Sequence, residues 1–233
     1  MLFAILSRVG RRGRLLGAWR SFVTPSHGIK PSSDTATSFG LSDLPPKVAA
    51  AARSVSGRLE EQGVPCAIIG AVACAAYGHV RATTDVDILI NARDADALRA
   101  ALVGRGWAPR FTGARKMLRD TVNGVDVDVL HSGGFPGDGL PKPVSFPEIS
   151  PKSSSVEVFD GARVISLPIL IDLKLASGSS APSRSKDLAD VYALIAANHL
   201  PRCYANELDV SVRAAYCKIW DDWQAARVAG IDP

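Results

Sequence analysis

The spacing of apolar residues changes repeatedly along the chain between a helical period and a strand period. Apolar positions three or four residues apart predict helices over 47–62, 71–78, 94–104, 168–176, 183–198 and 203–228. Short apolar or alternating runs predict strands over 64–69, 86–90, 111–119, 122–130, 156–159 and 163–166, and the last two are expected at a sheet edge. Strands interleaved with helices in this way predict an α/β (α+β) fold.

The stretch 66–90 carries the strongest candidate chemistry. A buried strand is followed by a turn at Gly70, a helix of small residues and a second strand that opens with Asp85 and Asp87. Because side chains alternate along a strand, both carboxylates point to the same side of the sheet. A divalent cation between them would offset their mutual repulsion. The backbone N–H groups at the start of the helix after Gly70 can hold a phosphate.

A second pair of acids lies on the predicted strand 122–130. Its valines occupy one face, and Asp126 and Asp128 occupy the other. The dipeptide Asn123-Gly124 before them predicts a hairpin with the strand 111–119. Either aspartate could supply a third carboxylate, and either could be a solvated acid on the strand face. The following residues, 131–155, contain five prolines and no periodic run, which predicts a loop or flap near the site.

These features resemble the nucleotidyltransferase superfamily that shares the catalytic fold of DNA polymerase β. The pattern Gly-x-x-Arg-x-Thr-x-Asp-x-Asp is matched by Gly78, Arg81, Thr83, Asp85 and Asp87. It is similar to the pattern of the small bacterial AbiEii-type nucleotidyltransferases. The resemblance implies a polymerase-β-like core, with a mixed sheet flanked by helices and followed by C-terminal helices.

The resemblance also implies roles for residues of a nucleotide site. Asp85, Asp87 and Asp128 would be catalytic and would bind one or two Mg²⁺ or Mn²⁺ ions, with Asp128 preferred to Asp126. The residues implied in binding a nucleoside triphosphate are Gly70, Ala71, Arg81, Thr83 and Lys174. Arg81 would either contact phosphate or brace the aspartate strand. Position 71 is Ala where the family has Gly or Ser, so a backbone contact with phosphate is retained and a hydroxyl contact is lost.

A later motif adds two catalytic candidates. The run Leu-x-x-Lys-Leu, followed by Arg-x-Lys-Asp-x-x-Asp, also resembles the AbiEii-like group. By this resemblance, Lys174 of one helix and Asp187 of the next support nucleotide binding or catalysis, with Lys174 acting as a point charge on the triphosphate. The alternative is a surface lysine that pairs with Asp187 or Asp190.

The implied function is transfer of a nucleoside monophosphate from a nucleoside triphosphate to an acceptor hydroxyl, an activity of the EC 2.7.7 type. RNA such as tRNA, a protein side chain and a small molecule remain possible acceptors, and a toxin role with an antitoxin partner is plausible by resemblance. The alternative is a non-catalytic nucleotide- or partner-binding module of the same fold. A P-loop kinase or ATPase is disfavoured because no Gly-x-x-x-x-Gly-Lys-Ser/Thr occurs.

Charge and apolar content limit the other classes of protein. The 233 residues carry a net charge of +4, but residues 1–33 contain six basic residues and no acid. The rest of the chain, residues 34–233, contains the other 21 basic residues and all 23 acids, so this body of the chain is nearly neutral. Its charge does not predict a broad nucleic-acid-binding surface. No apolar run is long enough to span a membrane, and the four cysteines lack a zinc-site spacing. We therefore expect a cytoplasmic protein.

Three segments are expected along the chain. Residues 1–44 would be a basic, disordered extension, 45–166 the catalytic core, and 167–233 a helical part that completes the nucleotide site. The arginine-rich start could also be an organelle transit peptide in a eukaryotic source, a basic arm that touches RNA or an anionic surface, or the product of a start codon placed too early.

Overall fold

A computed structural model describes residues 40–150 and 154–231. The prediction for the extension therefore lies outside the described residues as far as residue 39. The end of that segment is described, and Leu41 and Leu44 are buried in the hydrophobic core. All described residues belong to one compact unit, Thr37–Pro233. The predicted boundary between 45–166 and 167–233 is not tested by this division and stays a prediction.

A mixed sheet of seven strands forms the centre of this unit. Its strands are β1 (Cys66–Ile69), β2 (Asp85–Ile90), β3 (Trp107–Pro109), β4 (Met117–Asp120), β5 (Val125–His131), β6 (Val156–Phe159) and β7 (Ala162–Ile165). Their order across the sheet is β3-β4-β5-β2-β1-β7-β6. Strand β2 is antiparallel to β1 and parallel to β5, and β1 is parallel to β7.

Six α-helices accompany the sheet in the described part of the chain. They are α1 (Pro46–Glu61), α2 (Gly70–Ala76), α3 (Ala95–Leu102), α4 (Leu167–Gly178), α5 (Ser185–Ala197) and α6 (Arg213–Val228). Helices α1 and α2 contact the central strands, while α4, α5 and α6 pack against one another in sequence. The predicted fold class, a mixed sheet flanked by helices and followed by C-terminal helices, is confirmed.

The register between β2 and β5 positions the acids. Asp85 lies opposite Asp126, and Asp87 lies opposite Asp128. Val86 and Val127, on the alternate positions, are fully buried. Alternation therefore places the acids of both strands on one face of the sheet and their valines in the core, as the sequence predicts.

The edges of the sheet differ from the prediction. Strand β3 was not predicted, because it is short and contains Pro109, a residue disfavoured inside strands. The segment 111–116, predicted as part of a strand, is a loop. Strand β7 was predicted at an edge, but it pairs with β1 on one side and β6 on the other. Residues 203–228 do not form one helix, because a 3₁₀ segment, Arg202–Glu207, precedes α6.

The hairpin between β4 and β5 is confirmed, but its turn is longer than the two residues that Asn-Gly predicts. Four residues, 121–124, separate the strands. The buried Asp120 organises them, because its Oδ1 accepts the amides of Val122 and Asn123 at 2.9 and 3.0 Å. Its Oδ2 accepts the Asn123 side-chain amide at 2.7 Å. Gly124 has a φ of +70° and leads the chain into β5.

Within the described residues, no helix has both the length and the apolar character needed to cross a membrane.

Candidate active site

Three of the predicted carboxylates lie together on neighbouring strands. Asp85 and Asp87 are on β2, and Asp128 is directly opposite Asp87 on β5. Asp85 is held by the hydroxyl of Thr83, which donates to its Oδ1 at 2.7 Å. Thr83 thus contacts an aspartate and is not among the residues that line the adjacent cleft.

Asp87 is packed against the glycine turn at the end of β1. Gly70 begins α2 with a φ of +66°, a conformation that residues with a Cβ rarely adopt. A Cβ placed at Gly70 would lie 2.1 Å from Asp87 Oδ2. The position therefore requires glycine twice, once for its backbone conformation and once for the close approach to the carboxylate.

This double requirement predicts a measurable cost for Gly70→Ala. Gly63 provides the matched control, because it has a φ of +67° and a Cβ placed there would meet nothing within 4 Å. Gly63→Ala should lower the free energy of unfolding by about 1–2 kcal/mol, the cost of the left-handed conformation alone. We expect Gly70→Ala to cost at least about 1 kcal/mol more, because Asp87 must move. Urea unfolding of both variants measures the difference, and equal losses would contradict this packing.

The negative charges of Asp85, Asp87 and Asp128 repel one another. Burial, followed by the charges of Asp85 and Asp128, raises the pKa of Asp87 to about 6 from an ordinary 3.8. Burial and the charge of Asp85 also raise the pKa of Asp128. Oδ1 of Asp128 is buried and has no hydrogen-bond partner among the described residues. These carboxylates are thus close enough to destabilise one another.

Asp126 has a different environment from Asp128, although both acids share a strand face. Arg119 donates to Asp126 Oδ1 at 2.7 Å, and the Nε of Arg110 lies 3.3 Å from Oδ2. Two arginines therefore neutralise Asp126, whereas Asp128 keeps an unpaired oxygen. This contrast favours Asp128 as the third carboxylate, the assignment that the resemblance implies.

Asp85 and Asp87 open onto a cleft of about 310 Å³, and Asp128, on the neighbouring strand, is not among the residues that line it. Its lining includes Gly70, Ala71, Arg81, Asp85, Asp87, Lys174, Arg184, Lys186 and Asp187. Most of the residues predicted for the nucleotide site are thus brought to one cavity. Carboxylates of β2 lie on one side, and basic side chains from α4, α5 and the segment before α5 contribute to the same lining.

Lys174 does not lie on the surface. Its side chain is 9% exposed, and its Nζ donates to Asp187 Oδ1 at 2.8 Å and to Asp190 Oδ2 at 2.6 Å. Helix α4 is buried on most of its circumference, and not only along the stripe of apolar residues expected from its sequence. Burial opposes the charge of Lys174, but the nearby Cys74 and the carboxylates of Asp190 and Asp187 together raise its pKa. The lysine connects α4 with α5.

Asp190 extends this cluster to the loop between α2 and β2. Arg81 donates from Nε to Asp190 Oδ1 at 2.9 Å, and His79 Nε2 lies 3.1 Å from the same oxygen. Arg81 therefore braces α5, whereas the sequence suggested a phosphate or the aspartate strand as its partner. Burial opposes the charge of Asp190, but His79, Lys174 and Arg81 together lower its pKa.

Asp187 is held from a second direction at the end of α4. The hydroxyl of Ser177 donates to its Oδ2 at 2.6 Å, and Arg184 Nε lies 3.1 Å from the same oxygen. Sequence reasoning missed Ser177 and His79. Ser177 is three residues after Lys174, so the helical period was a usable signal for it. His79 gave none, because its partner is 111 residues away.

The loop after β5 contributes to the wall of the cleft, so it lies near the site as predicted. Phe135, Pro136, Gly137 and Phe146 line the cavity. A Cβ at Gly137 would lie 2.2 Å from the Ser180 side chain and 3.0 Å from the backbone of Ser177. The loop is thus in close contact with the end of α4.

Both ends of this loop are fixed to the sheet. Asn91, fully buried just after β2, donates to the carbonyl of Ile149 at 3.0 Å and accepts its amide at 2.7 Å. At the other end, Ser132 donates its amide to the carbonyl of Ile90 at 2.9 Å. Gly133 and Gly134 exchange backbone hydrogen bonds with Phe146 at 2.8 Å.

The donor set of the site fits a divalent metal bound together with substrate. Within the described residues, no group of three or more His, Cys, Asp or Glu side chains forms a metal site by itself. Mg²⁺, however, characteristically takes one or two carboxylates and completes its shell with phosphate oxygens and water. The raised pKa values of Asp87 and Asp128, and the unpaired oxygen of Asp128, are consistent with carboxylates that need a cation.

The fold and these acids define a mixed α/β protein with a carboxylate cleft. No family model and no curated protein matches the chain. Among solved structures, the solution structure of the antibiotic-resistance factor ANT(2'')-Ia is 17% identical with a TM-score of 0.47, covering 78% of this chain and 97% of that one.

Two further solved structures are provisionally assigned nucleotidyltransferases. One, from Thermotoga maritima, is 19% identical with a TM-score of 0.41, covering 63% of this chain and 96% of that one. The other, from H. pylori, is 16% identical with a TM-score of 0.43, covering 80% and 83%. At this level of likeness, the function of the chain has to be inferred from its own residues.

Proposed function

We propose that the chain is a metal-dependent nucleotidyltransferase that moves a nucleoside monophosphate from a nucleoside triphosphate to an acceptor hydroxyl. The observation that carries this proposal is the unbalanced group of Asp85, Asp87 and Asp128 beside a cleft with basic side chains in its lining. A bound Mg²⁺ or Mn²⁺ would offset the carboxylates, polarise the phosphoryl oxygens and lower the pKa of the acceptor hydroxyl. Asp85, Asp87 and Asp128 would hold it.

Asp128 would serve the acceptor side of the reaction. The acceptor oxygen forms a bond to the α-phosphorus, and the bond from that phosphorus to the bridging oxygen breaks, so that pyrophosphate leaves. The hydroxyl proton passes to the carboxylate of Asp128, which is only partly buried as a whole and whose raised pKa suits it to accept a proton.

The basic side of the cleft would bind the triphosphate. Lys186 is exposed and has no ion-pair partner among the described residues, and the Arg184 side chain is 38% exposed. These two cations can reach a ligand more readily than Lys174, whose charge is matched by two carboxylates. Lys174 and Asp187 would then position α5, while the amides of Gly70 and Ala71 contact phosphate oxygens.

An acceptor hydroxyl completes the reaction, and the resemblance implies several sources for it. RNA such as tRNA, a protein side chain and a small molecule each offer a hydroxyl, and a toxin role would add an antitoxin as partner. A non-catalytic nucleotide-binding module remains the alternative function. The first experiment is transfer of label from each of four α-labelled nucleoside triphosphates, with Mg²⁺, to total RNA, to the protein itself and to small hydroxyl compounds.

Paired variants of β5 test the chemistry within that assay. We expect Asp128→Asn to lower transfer about a hundredfold or more, because the amide cannot accept the proton. Asp126→Asn, two residues away on the same strand face, should retain most of the activity. Nucleotide binding without any transfer by the wild type would support the binding module. Equal activity of the two variants would refute the role of Asp128.

A further inference from the structure

A concentrated basic surface lies beside the third carboxylate. Residues 104–119 contain five cationic side chains and no acid, although the body of the chain is nearly neutral. All five are exposed, and they are Arg105, Arg110, Arg115, Lys116 and Arg119. We call the segment 105–119, which comprises β3, the following loop and the first three residues of β4, the basic hairpin.

The register of the sheet places this hairpin next to the reacting groups. Met117 of β4 lies opposite Asp128 of β5, and Arg119 lies opposite Asp126. The carbonyl of Lys116 accepts the amide of Val129 at 2.7 Å, so the loop meets β5 immediately after Asp128. A ligand that crosses the hairpin is therefore led towards the third carboxylate.

Most of the charge of the hairpin is available to a ligand. Arg110 and Arg119 share the single carboxylate of Asp126, which leaves one of their two charges unmatched. Arg105, Arg115 and Lys116 have no ion-pair partner among the described residues. Such an excess of positive charge repels a polycationic acceptor and attracts a polyanionic one.

The loop of the hairpin is held in place and presents an aromatic ring. Arg99 of α3 donates to the carbonyl of Ala114 at 3.1 Å, and the amide of Ala114 donates to the carbonyl of Phe111 at 3.0 Å. The side chain of Phe111, between Arg110 and Arg115 in sequence, is 58% exposed. Exposed aromatic residues among cations are the combination that binds unpaired bases by stacking and phosphates by charge.

We propose that the basic hairpin binds the single-stranded end of a nucleic acid and presents its terminal hydroxyl to Asp128. The proposal rests on the proposed function for the chemistry, and it adds the class of the acceptor and the surface that recognises it. Duplex ends are less suitable, because their bases are already stacked and cannot pack on Phe111. The surface is local, which agrees with the near neutrality of the rest of the chain.

Binding measured without chemistry tests the surface independently of catalysis. The probe is a 20-nucleotide single-stranded RNA with a 5′ fluorophore, titrated with the full chain and followed by fluorescence anisotropy at several salt concentrations; a DNA of the same sequence is compared. Arg115→Glu/Lys116→Glu should weaken binding about tenfold or more and reduce the slope of log K against log salt by about 1.4.

A matched variant controls for overall charge. Lys47→Glu/Arg53→Glu changes the net charge equally at exposed positions of α1, which contributes no residue to the cleft, and it should leave the affinity within about twofold. The basic residues of 1–33 are present in every variant, so their contribution cancels. Circular dichroism shows whether the variants are folded, and Arg115→Gln/Lys116→Gln replaces the reversal variant if it is not.

Phe111→Ala separates nucleic acid from other polyanions. Loss of stacking should lower the affinity for RNA about fivefold or more and leave binding of poly-glutamate unchanged. Equal losses for RNA and poly-glutamate, or tight binding of poly-glutamate by the wild type, would indicate an acidic protein surface as the partner and overturn the proposal. Failure of the wild type to bind RNA or DNA would also overturn it.

The two proposals can fail separately. The wild type could label a small molecule or a protein in an Asp128-dependent reaction and bind no nucleic acid. This result would support the nucleotidyltransferase activity and refute nucleic-acid binding by the basic hairpin. If the chain binds RNA through the hairpin but transfers no nucleotide, the surface is supported as a binding site and its role in presenting an acceptor hydroxyl is refuted.

Discussion

Replacement of Asp87 by Asn should abolish nucleotidyl transfer and at the same time make the protein more stable. Burial and the charges of Asp85 and Asp128 raise the pKa of Asp87 to about 6. The amide keeps the shape of the side chain but removes its charge and its value as a metal ligand. We expect transfer to fall at least about a thousandfold, since several kcal/mol of charge stabilisation are lost.

The gain in stability has a defined pH dependence. A carboxyl whose pKa is raised on folding contributes stability while it is protonated, and that contribution is lost as pH rises from about 4 to about 6. The wild type is therefore destabilised above pH 6. The loss is up to roughly 3 kcal/mol, because the pKa of Asp87 rises from 3.8 to about 6 on folding. Asp87→Asn should consequently be the more stable form at pH 8, with little difference at pH 4.

Urea unfolding at both pH values, with a chelator present, measures this gain. Asp96→Asn on α3 is a matched control, because Asp96 is an exposed acid outside the cleft, and it should shift stability by no more than about 0.5 kcal/mol. A destabilised Asp87→Asn protein at pH 8 would mean that the carboxylates do not repel one another. Full transfer activity would exclude Asp87 as a ligand.

Replacement of Lys174 by Met should destabilise the protein more than the loss of any other cation of the cleft. The side chain has the length of lysine without its charge, so Asp187 and Asp190 would remain buried without their common partner. Breaking a buried ion pair by removing one member costs about 3–5 kcal/mol. Arg81 and Arg184 still face the two acids, which places the expected loss at the lower end of that range.

Two comparisons make this result specific. Lys186→Met removes an exposed lysine of the same cleft and should change the free energy of unfolding by less than about 0.5 kcal/mol. The double variant Lys174→Met/Asp187→Asn also removes one of the two carboxylates that lose their partner, and it should recover part of the lost stability. Chemical denaturation of the three proteins at pH 7 provides the values. A loss below about 1 kcal/mol for Lys174→Met would refute the bridging role.

Local patterns predicted the carboxylate strands well. Strand alternation placed Asp85 and Asp87 on one face of their strand and Asp126 and Asp128 on one face of theirs, because alternation depends only on neighbours in sequence. The pairing of β2 with β5 was implied by the resemblance alone. The turn at Gly70 was likewise predicted from the end of one element and the start of the next. The close packing of Gly70 on Asp87 was not visible, since it arises from the pairing of β1 with β2.

Long-range partners limited what the sequence could predict. Pairing of Lys174 with Asp187 or Asp190 was one of two alternatives that the sequence offered, but the burial of this lysine and the contact of Arg81 with Asp190 across 109 residues were not predicted. The choice between Asp126 and Asp128 depended on Arg110 and Arg119, which approach only when β4 pairs with β5. Such contacts are set by tertiary packing and leave no periodic signal.

The loop after β5 is fixed at both ends, so its sequence can change between these anchors without moving the aspartates of the sheet. Asn91 and the backbone pairs at Gly133 and Gly134 close the loop at its base, while Phe135, Pro136 and Phe146 lie in the wall of the cleft. Substitutions between the anchors can therefore reshape that wall while the aspartates keep their register. Mutations accumulated there would give descendants with different substrate preferences and the same chemistry, and directed evolution of the chain should begin with this segment.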